Sequence, residues 1–187
     1  MCHVSKYVLD TRTYGQKFSP TKEEGEPWIL QAYSDSDYAG DKDTRLSVGG
    51  FVLYIRGVPV SWRIKSQRVI TLSSTEAEWI AASEAVWEVI FVLQLIESMK
   101  IKVKLPINMY MDNIGAVFMV NNQSTRTRTK HVDVRTKFVT QYIEEGTIKI
   151  KFIRSGENDA DIFTKNLGSV LHNKHAMKMI KDSIGKQ

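Results

Sequence analysis

The chain has 187 residues, 42% of them hydrophobic and 25% charged, which is typical of a folded protein and excludes extensive disorder. Its formal net charge of +5 is compatible with a nucleic-acid partner but is equally common among ordinary cytosolic proteins. The single cysteine, Cys2, excludes an internal disulfide and a thiolate zinc cluster. No apolar run approaches the roughly 20 residues that span a membrane, and the N-terminus lacks a signal-peptide pattern. We therefore expect an intracellular protein, in a cytoplasmic particle or the nucleus, without membrane contact.

The first half of the chain predicts a linker followed by a run of strands. Residues 1–27 end in the Pro/Gly/charged segment SPTKEEGEP, so the folded domain should begin near Trp28. Three strands are predicted next: WILQAYSD (28–35), GGFVLYI (49–55) and VPVSWRIK (58–65). Gly57 and Pro59 mark a turn between the last two strands. Consecutive strands joined by short links predict an antiparallel meander.

The second half alternates helices with strands. A periodic segment without Gly or Pro, from Ser74 to Met99, predicts a helix of about seven turns. The remaining predicted elements are a strand at 107–112, helices at 113–122 and 130–146, a strand at 147–155 and a short helix at 159–168. Strands that return through helices form parallel pairs, so the order βββαβααβα predicts an α/β fold with a five-stranded mixed sheet over residues 28–168. The basic residues 169–187 are compatible with a helix or a tail.

Acidic residues occur at the ends of four predicted elements. They are Asp35 after the first strand, Asp112 after the fourth, Glu76 and Glu78 at the start of the long helix, and Asp159 and Asp161 at the start of the last helix. Ligand sites in open α/β sheets gather where such ends converge, so these carboxylates are predicted to meet at one place. Any one aspartate alone is more typical of a turn or a helix cap, and their joint placement is what favours a site.

Two glutamates compete for the same place on the long helix. Glu78 shares a stripe with Ala82, Ala85 and further apolar residues, the face expected to lie against the sheet. Glu76 lies about 160° away on the helix. It also follows Ser73 by three residues, as in a capping box. We therefore predict that Glu78 belongs to the site and that Glu76 has a structural role.

The chemistry of such a site follows from its ligands. Crowded carboxylates repel one another unless cations neutralise them. Hard oxygen ligands without cysteine or clustered histidine favour Mg²⁺ or Mn²⁺ over zinc. Two such ions can activate water on one side of a phosphodiester and stabilise the leaving oxygen on the other. The pattern therefore indicates two Mg²⁺ ions, for which Mn²⁺ can substitute, a phosphate-backbone substrate and no small-molecule cofactor.

Five motifs resemble the ribonuclease H domain of copia-type LTR-retrotransposon polyproteins. In order, they are YSDSDYAGDKDTRLSVGGFVLYIRGVPVSW, TLSSTEAEWIAASEA, MDNIGAV, RTKHVDVRTKF and SGENDADIFTK. The likeness covers residues 28–168. The preceding KYVLDTRTYGQKFSP resembles the connection between reverse transcriptase and ribonuclease H in those polyproteins. We therefore expect the C-terminal piece of a polyprotein, with its reverse transcriptase part as a partner.

The resemblance implies a ribonuclease H fold whose metal ligands and catalytic residues are Asp35, Glu78, Asp112 and Asp161. Asp35 would bridge the two metals, while Asp37 shapes the turn or lies further from them. The implied activity is hydrolysis of the RNA strand of RNA/DNA hybrids during reverse transcription. Two alternatives are a catalytically inactive module that binds nucleic acid or assists assembly, and a DNA-cutting or DNA-joining relative on the same fold.

The chain also departs from cellular ribonucleases H. Many of those carry a histidine before the last helix, whereas RSGEND has none, which predicts slower turnover or another group in its place. Their basic protrusion is replaced by NQSTRTRTK, where Arg126, Arg128 and Lys130 are candidates for phosphate contact or simply for a solvated loop. His131 is a further candidate for substrate contact, with a structural role as the alternative, and so is Asn113, which directly follows Asp112.

Three tryptophans are candidates for stacking on bases. We interpret Trp62, Trp79 and Trp87 as structural rather than base-stacking residues. Trp87 in particular lies on the side of the long helix where the second amphipathic helix is expected to pack, so we predict that it is buried.

Overall fold

A computed structural model describes residues 3–16, 26–121 and 130–182, with the backbone alone at 119–121, 130–133 and 181–182. The elements in chain order are α1 (His3–Asp10), β1 (Tyr14–Gln16), β2 (Leu30–Asp37), β3 (Val48–Ile55), β4 (Val58–Ser66), α2 (Ser74–Ser98), β5 (Ile107–Met111), α3 (Ile114–Asn121), α4 (Lys130–Glu144), β6 (Ile148–Phe152), a 3₁₀ turn (Ser155–Glu157), α5 (Asp161–Thr164), α6 (Ser169–Met179) and β7 (Ile180–Asp182).

Five strands form a mixed sheet in the order β4-β3-β2-β5-β6. The first three strands are antiparallel, and β5 and β6 are added as parallel neighbours of β2. Arg56 and Gly57 both have positive φ and form the tight turn between β3 and β4, as type I′ hairpins require. Pro59 lies inside β4, where the pairing register shifts, and an edge strand tolerates the missing N–H. The predicted five-stranded mixed sheet is confirmed.

The core lies between this sheet and α2. Apolar side chains of α2, among them Trp79, Ala85 and Val89, form one buried cluster with Met109 and Leu53 of the sheet. By length and composition α2 could cross a membrane, but 61% of its apolar window is buried inside the fold. The sequence predicted no apolar run approaching a membrane span, whereas α2 is long and apolar enough for one, and its burial in the core accounts for that composition.

The end of the chain is more elaborate than predicted. The short helix expected at 159–168 is limited to α5, and a separate helix, α6, follows it. The last strand, β7, pairs antiparallel with β1, so segments from both ends of the chain form a second, two-stranded sheet. The predicted domain boundaries near 28 and 168 stay a prediction, although the segments beyond them contact each other here.

Buried Asp159 attaches α6 to the rest of the domain. Its carboxylate contacts His175 Nδ1 at 2.8 Å and accepts from Lys178 Nζ at 2.6 Å and from the Tyr54 hydroxyl at 3.2 Å. Burial, followed by the charge of Asp159, raises the pKa of Tyr54 above its ordinary value, so this hydroxyl stays a donor. Asp159 therefore has a structural role, because its carboxylate is bound to Tyr54, His175 and Lys178. Of the two aspartates near the start of α5, Asp161 is the candidate for the site.

Candidate active site

The site is built on the carboxyl end of β2. Asp35 is fully buried there and pairs in register with Gly50 of β3. Its Oδ2 accepts a hydrogen bond from the Thr164 hydroxyl, and its Oδ1 lies 2.8 Å from Lys165 Nζ. Both partners come from the end of α5, so Asp35 is held in place from the opposite end of the domain's sequence.

Glu78 reaches the same place from the start of α2. It is 5% exposed, its Oε1 accepts from the Ser36 N–H at 3.2 Å, and its Oε2 is buried without a hydrogen-bond partner among the described residues. A carboxylate oxygen that is buried and unpaired is costly unless a cation or a proton satisfies it. Glu78 therefore has an unmet ligand capacity that points into the site.

Glu76, two residues earlier, has the structural role predicted for it. Its N–H donates to Ser73 Oγ at 3.1 Å, and its Oε2 accepts from the Leu72 N–H at 2.8 Å. The carboxylate thus reaches back beyond the N-cap residue to a backbone donor in front of the helix, in the manner of a capping box. Glu76 therefore caps the helix while Glu78 lies among the convergent carboxylates, as their positions around the helix predict.

Three carboxylates converge at this point. Asp112 directly follows β5, the parallel neighbour of β2, and oxygen atoms of Asp35, Glu78 and Asp112 all lie within 4.8 Å of one another. Burial, followed by the charges of Asp35 and Asp112, raises the pKa of Glu78 to about 9. Burial also raises the pKa of Asp35 to about 6, against the opposing effects of Lys165 and Thr164. Such mutual repulsion is what a cation at the centre would relieve.

Asp161 joins the group indirectly. It begins α5, is 3% exposed, and its Oδ2 accepts from Ser155 Oγ at 2.9 Å. It is not one of the three convergent carboxylates, but its Oδ1 lies 3.1 Å from Lys165 Nζ, which also contacts Asp35 and Asp112. All four carboxylates named from the sequence therefore surround one region, and their roles as ligands stay a prediction.

Lys165 is the residue that sequence reasoning missed. It immediately follows α5 and closes the motif DADIFTK, four residues after Asp161. That spacing places the two side chains on one side of a helical turn and was the available signal. The carboxylates raise the pKa of Lys165 above its ordinary value, against the effect of burial, so the residue is a cation in this site.

A glycine in β3 lets α5 approach the sheet. A Cβ atom added at Gly50 would lie 2.9 Å from Thr164 Cγ2 and 3.0 Å from Phe163 Cβ. At the preceding position, Gly49, the same atom would instead meet Ala81 of α2 at 3.3 Å. Because neighbouring strand residues face opposite sides, α2 and α5 lie on opposite faces of the sheet.

The donor set fits a hard divalent cation. The convergent side chains are all carboxylates, and one buried oxygen, Glu78 Oε2, has no other partner in the described structure. Mg²⁺ and Mn²⁺ prefer such oxygen ligands.

Comparison with known proteins agrees with this architecture. No protein-family model matches the chain. The retrovirus-related Pol polyprotein from transposon RE1 of Arabidopsis thaliana is 31% identical over 176 residues, which are 94% of this chain and 12% of that protein. The corresponding polyprotein from transposon TNT 1-94 of Nicotiana tabacum is 36% identical over 141 residues, 75% of this chain and 10% of that protein. The chain is a homologue of transposon Pol polyproteins. It spans only about a tenth of their length.

Solved structures show the fold of this Pol homologue. The N-terminal RNase H domain of a Mycobacterium tuberculosis protein superposes with a TM-score of 0.54 at 10% identity, covering 80% of this chain and 96% of that one. LC11-RNase H1, solved in complex with an RNA/DNA hybrid, gives a TM-score of 0.51 at 14% identity, covering 72% and 92%. The predicted ribonuclease H fold is confirmed.

The predicted nucleic-acid contacts are largely beyond what the structure describes. Arg126 and Arg128 lie outside the described residues, and Lys130 and His131 begin α4 with side chains that are outside them too. Asn113 caps α3, since its Oδ1 accepts from the Ala116 N–H at 2.9 Å. A role in substrate contact stays a prediction for all five residues.

The prediction that Trp87 is buried is wrong. Trp87 is 60% exposed and stacks on Phe91 along the outer side of α2. The helix α4 instead packs nearer the start of α2, where Arg135 donates to Ser83 Oγ at 2.8 Å. Trp79, which is 1% exposed, is structural as predicted, and its Nε1 donates to a threonine of α4.

Proposed function

We propose that this Pol homologue is a metal-dependent endoribonuclease that hydrolyses the RNA strand of RNA/DNA hybrids during reverse transcription of a copia-type retrotransposon. The observation that carries the proposal is the meeting of Asp35, Glu78 and Asp112 within 4.8 Å at the ends of three elements. The ribonuclease H fold and the homology to transposon Pol polyproteins support it. Since the chain matches a small part of those polyproteins, the adjoining reverse transcriptase is proposed as its partner.

In this proposal Asp35, Glu78, Asp112 and Asp161 hold two Mg²⁺ ions, for which Mn²⁺ can substitute. Bound metal would supply an activated water nucleophile and charge stabilisation at the leaving oxygen of a phosphodiester. The protein contributes the positions of the ligands. Two of them are oriented by groups described above, Asp35 by the Thr164 hydroxyl and Asp161 by the Ser155 hydroxyl. Ligand orientation of this kind commonly changes activity by about 10–100-fold.

The test is cleavage of a labelled RNA/DNA hybrid by the purified chain. We expect cleavage of the RNA strand with Mg²⁺ or Mn²⁺, none in EDTA, and a loss of orders of magnitude in Asp112→Asn, which removes a ligand charge while keeping the shape. Asp43→Asn is the matched control, because Asp43 is an exposed residue of the β2–β3 loop. Undiminished cutting in EDTA or in Asp112→Asn would contradict metal-dependent hydrolysis.

A second candidate function is favoured by one observation. The Lys165 ammonium already contacts three of the four carboxylates, as it would in a catalytically inactive module whose acidic cluster is a structural ion-pair network. Such a module would bind the hybrid without cleaving it. Hybrid binding by the wild-type protein in Mg²⁺ and Mn²⁺, with the RNA strand intact after prolonged incubation, would favour this function over the nuclease.

Neutralising Arg126, Arg128 and Lys130 together to glutamine should weaken hybrid binding and reduce its dependence on salt. Each lost phosphate contact lowers the slope of log K against log salt by about 0.7–0.9. The measurement is a fluorescence-anisotropy titration at several salt concentrations. The control is a triple glutamine variant at exposed lysines near the opposite end of the sheet, Lys102, Lys104 and Lys149. Equal slopes in the two variants would show that the first three side chains belong to a solvated loop.

A further inference from the structure

Lys165 occupies an unusual position for a lysine. Its Nζ lies 2.8 Å from Asp35 Oδ1, 3.1 Å from Asp161 Oδ1 and 3.4 Å from Asp112 Oδ2. These carboxylates come from β2, from α5 and from the residue after β5, and their side chains are 0%, 5% and 12% exposed. A single ammonium therefore bridges three parts of the fold at their meeting point.

The ammonium does not satisfy the whole cluster. Glu78 makes no hydrogen bond to Lys165 and keeps one buried oxygen without a partner in the described structure. The four carboxylates also exceed one ammonium in formal charge, so the region retains an attraction for further cations. Lys165 thus neutralises the site only in part.

Two features allow the ammonium to leave. The Lys165 side chain is 31% exposed, in contrast to the carboxylates it contacts. Its backbone is extended, because the residue follows the last turn of α5 and is not within a helix. A flexible four-carbon stem can therefore carry the charge outward without unfolding any element.

We propose that Lys165 is an internal cation that competes with divalent metal for Asp35, Asp112 and Asp161. A carboxylate oxygen that holds the ammonium at hydrogen-bond distance cannot hold a metal ion in the same direction. Metal binding at these oxygens therefore displaces the ammonium, and the attraction between Lys165 and the carboxylates is subtracted from the affinity for metal. The inference rests on the proposed function in so far as it assumes that the cluster binds a divalent cation.

The competition makes opposite predictions for folding and for metal binding. Without metal, Lys165→Met should melt at a lower temperature than the wild-type protein, because three carboxylates lose their counter-ion. The same variant should bind Mn²⁺ more tightly, with a dissociation constant lower by about tenfold or more, because no ammonium has to be displaced. A lysine that served only to stabilise the fold would not raise the affinity for metal.

The experiment is calorimetric titration of metal-free protein with Mn²⁺, paired with thermal melting. Lys174→Met is the matched control, since Lys174 of α6 pairs with the exposed Glu157 of the 3₁₀ turn and its loss removes the same charge elsewhere. Tighter Mn²⁺ binding by Lys165→Met than by both the wild-type protein and Lys174→Met supports the competition. Equal affinities overturn it, even where the wild-type protein binds Mn²⁺ and cleaves hybrid.

The remaining outcomes separate this inference from the proposed nuclease. Tighter Mn²⁺ binding by Lys165→Met without hybrid cleavage by the wild-type protein upholds the competition and overturns the nuclease. Absence of Mn²⁺ binding in the wild-type protein and in Lys165→Met overturns both.

A measurement on the wild-type protein covers the case in which Lys165→Met does not fold. The side-chain ¹⁵Nζ resonance of Lys165, assigned by its absence in Lys165→Arg, should shift on addition of diamagnetic Mg²⁺ as the ammonium leaves the carboxylates. The Lys174 resonance should stay in place. A Lys165 resonance that is unchanged at Mg²⁺ concentrations that shift backbone signals around Asp35 and Asp112 would overturn the competition.

Discussion

In Glu78→Gln we expect the proposed hybrid cleavage to fall by more than about 100-fold, since losing a proposed metal ligand should cost at least as much as losing a group that orients one. The metal-free variant nevertheless melts at a higher temperature than the wild-type protein at pH 8. Glutamine has nearly the same shape, keeps an oxygen to accept from the Ser36 N–H, and is neutral beside Asp35 and Asp112 without the proton that Glu78 must take up on folding. Activity and stability should therefore change in opposite directions.

The gain in stability should depend on pH in a defined way. Burial raises the pKa of Glu78 from 4.5 to about 9, so between these values the folded state holds a proton that the unfolded state releases. Stability from this group is fully present below pH 4.5 and is lost as pH rises through about 9. The difference in melting temperature between Glu78→Gln and the wild-type protein should thus be small at pH 5 and larger at pH 8. Each pKa unit represents about 1.4 kcal/mol, or roughly 3–6 °C for a chain of this size.

Variants at Glu76 provide the control on the same helix. Glu76→Gln should change little, because glutamine still accepts from the Leu72 N–H. Glu76→Ala should cost about 0.5–2 kcal/mol of stability, the usual loss for a cap, with metal-dependent cleavage retained. Loss of cleavage in Glu76→Gln with activity kept in Glu78→Gln would mean that the opposite side of α2 faces the substrate.

The convergence of carboxylates was predictable because it depends on local periodicity and strand order. Asp35 and Asp112 end two strands that the connections make parallel neighbours, so their ends must meet at the same edge of the sheet. Glu78 lies near the start of α2, on the same side as the apolar residues that pack on the sheet. Its side chain therefore lies close to the end of the sheet. Backbone topology and helical angle alone suffice for these three residues.

The position of Lys165 was not predictable in the same way. A lysine after a four-residue helix is ordinarily solvated, and its four-residue spacing from Asp161 indicates only one of its three carboxylate partners. Its contacts with Asp35 and Asp112 arise because α5 packs closely on β3 at Gly50. That packing joins residues far apart in the sequence, so no local pattern indicates it. The exposure of Trp87 was missed for a related reason, since the helical angle of a residue does not tell how far along α2 the helix α4 extends.

The pairing of β1 with β7 lay beyond sequence reasoning altogether. Both strands are three residues long, too short to show alternation, and their partners lie at opposite ends of the chain. The pairing nevertheless joins β1, which lies in the predicted connection segment, to the strand that follows α6.

Gly50→Ala is expected to impair the site although Gly50 is not one of the candidate ligands. The added methyl group would lie 2.9 Å from Thr164 Cγ2, 3.0 Å from Phe163 Cβ and 3.3 Å from the Arg63 carbonyl oxygen. Neither the Phe163 Cβ nor a backbone carbonyl can yield by a side-chain rotation, so α5 must move away from β3. Overpacking of this kind costs about 1–3 kcal/mol of stability.

The movement matters because α5 carries both the hydroxyl that orients Asp35 and the carboxylate of Asp161. A displacement of about 1 Å among reacting groups can cost on the order of 100-fold in rate, so hybrid cleavage by Gly50→Ala should fall by about that factor.

Adding Thr164→Ser removes the nearest clashing atom, keeps the hydroxyl that donates to Asp35, and should restore part of both stability and cleavage. Gly15→Ala, where nothing lies within 4 Å of the added atom, should behave as the wild-type protein. The measurements are melting curves and hybrid cleavage rates of these variants. Cleavage by Gly50→Ala at the wild-type rate would show that the site tolerates a shifted α5.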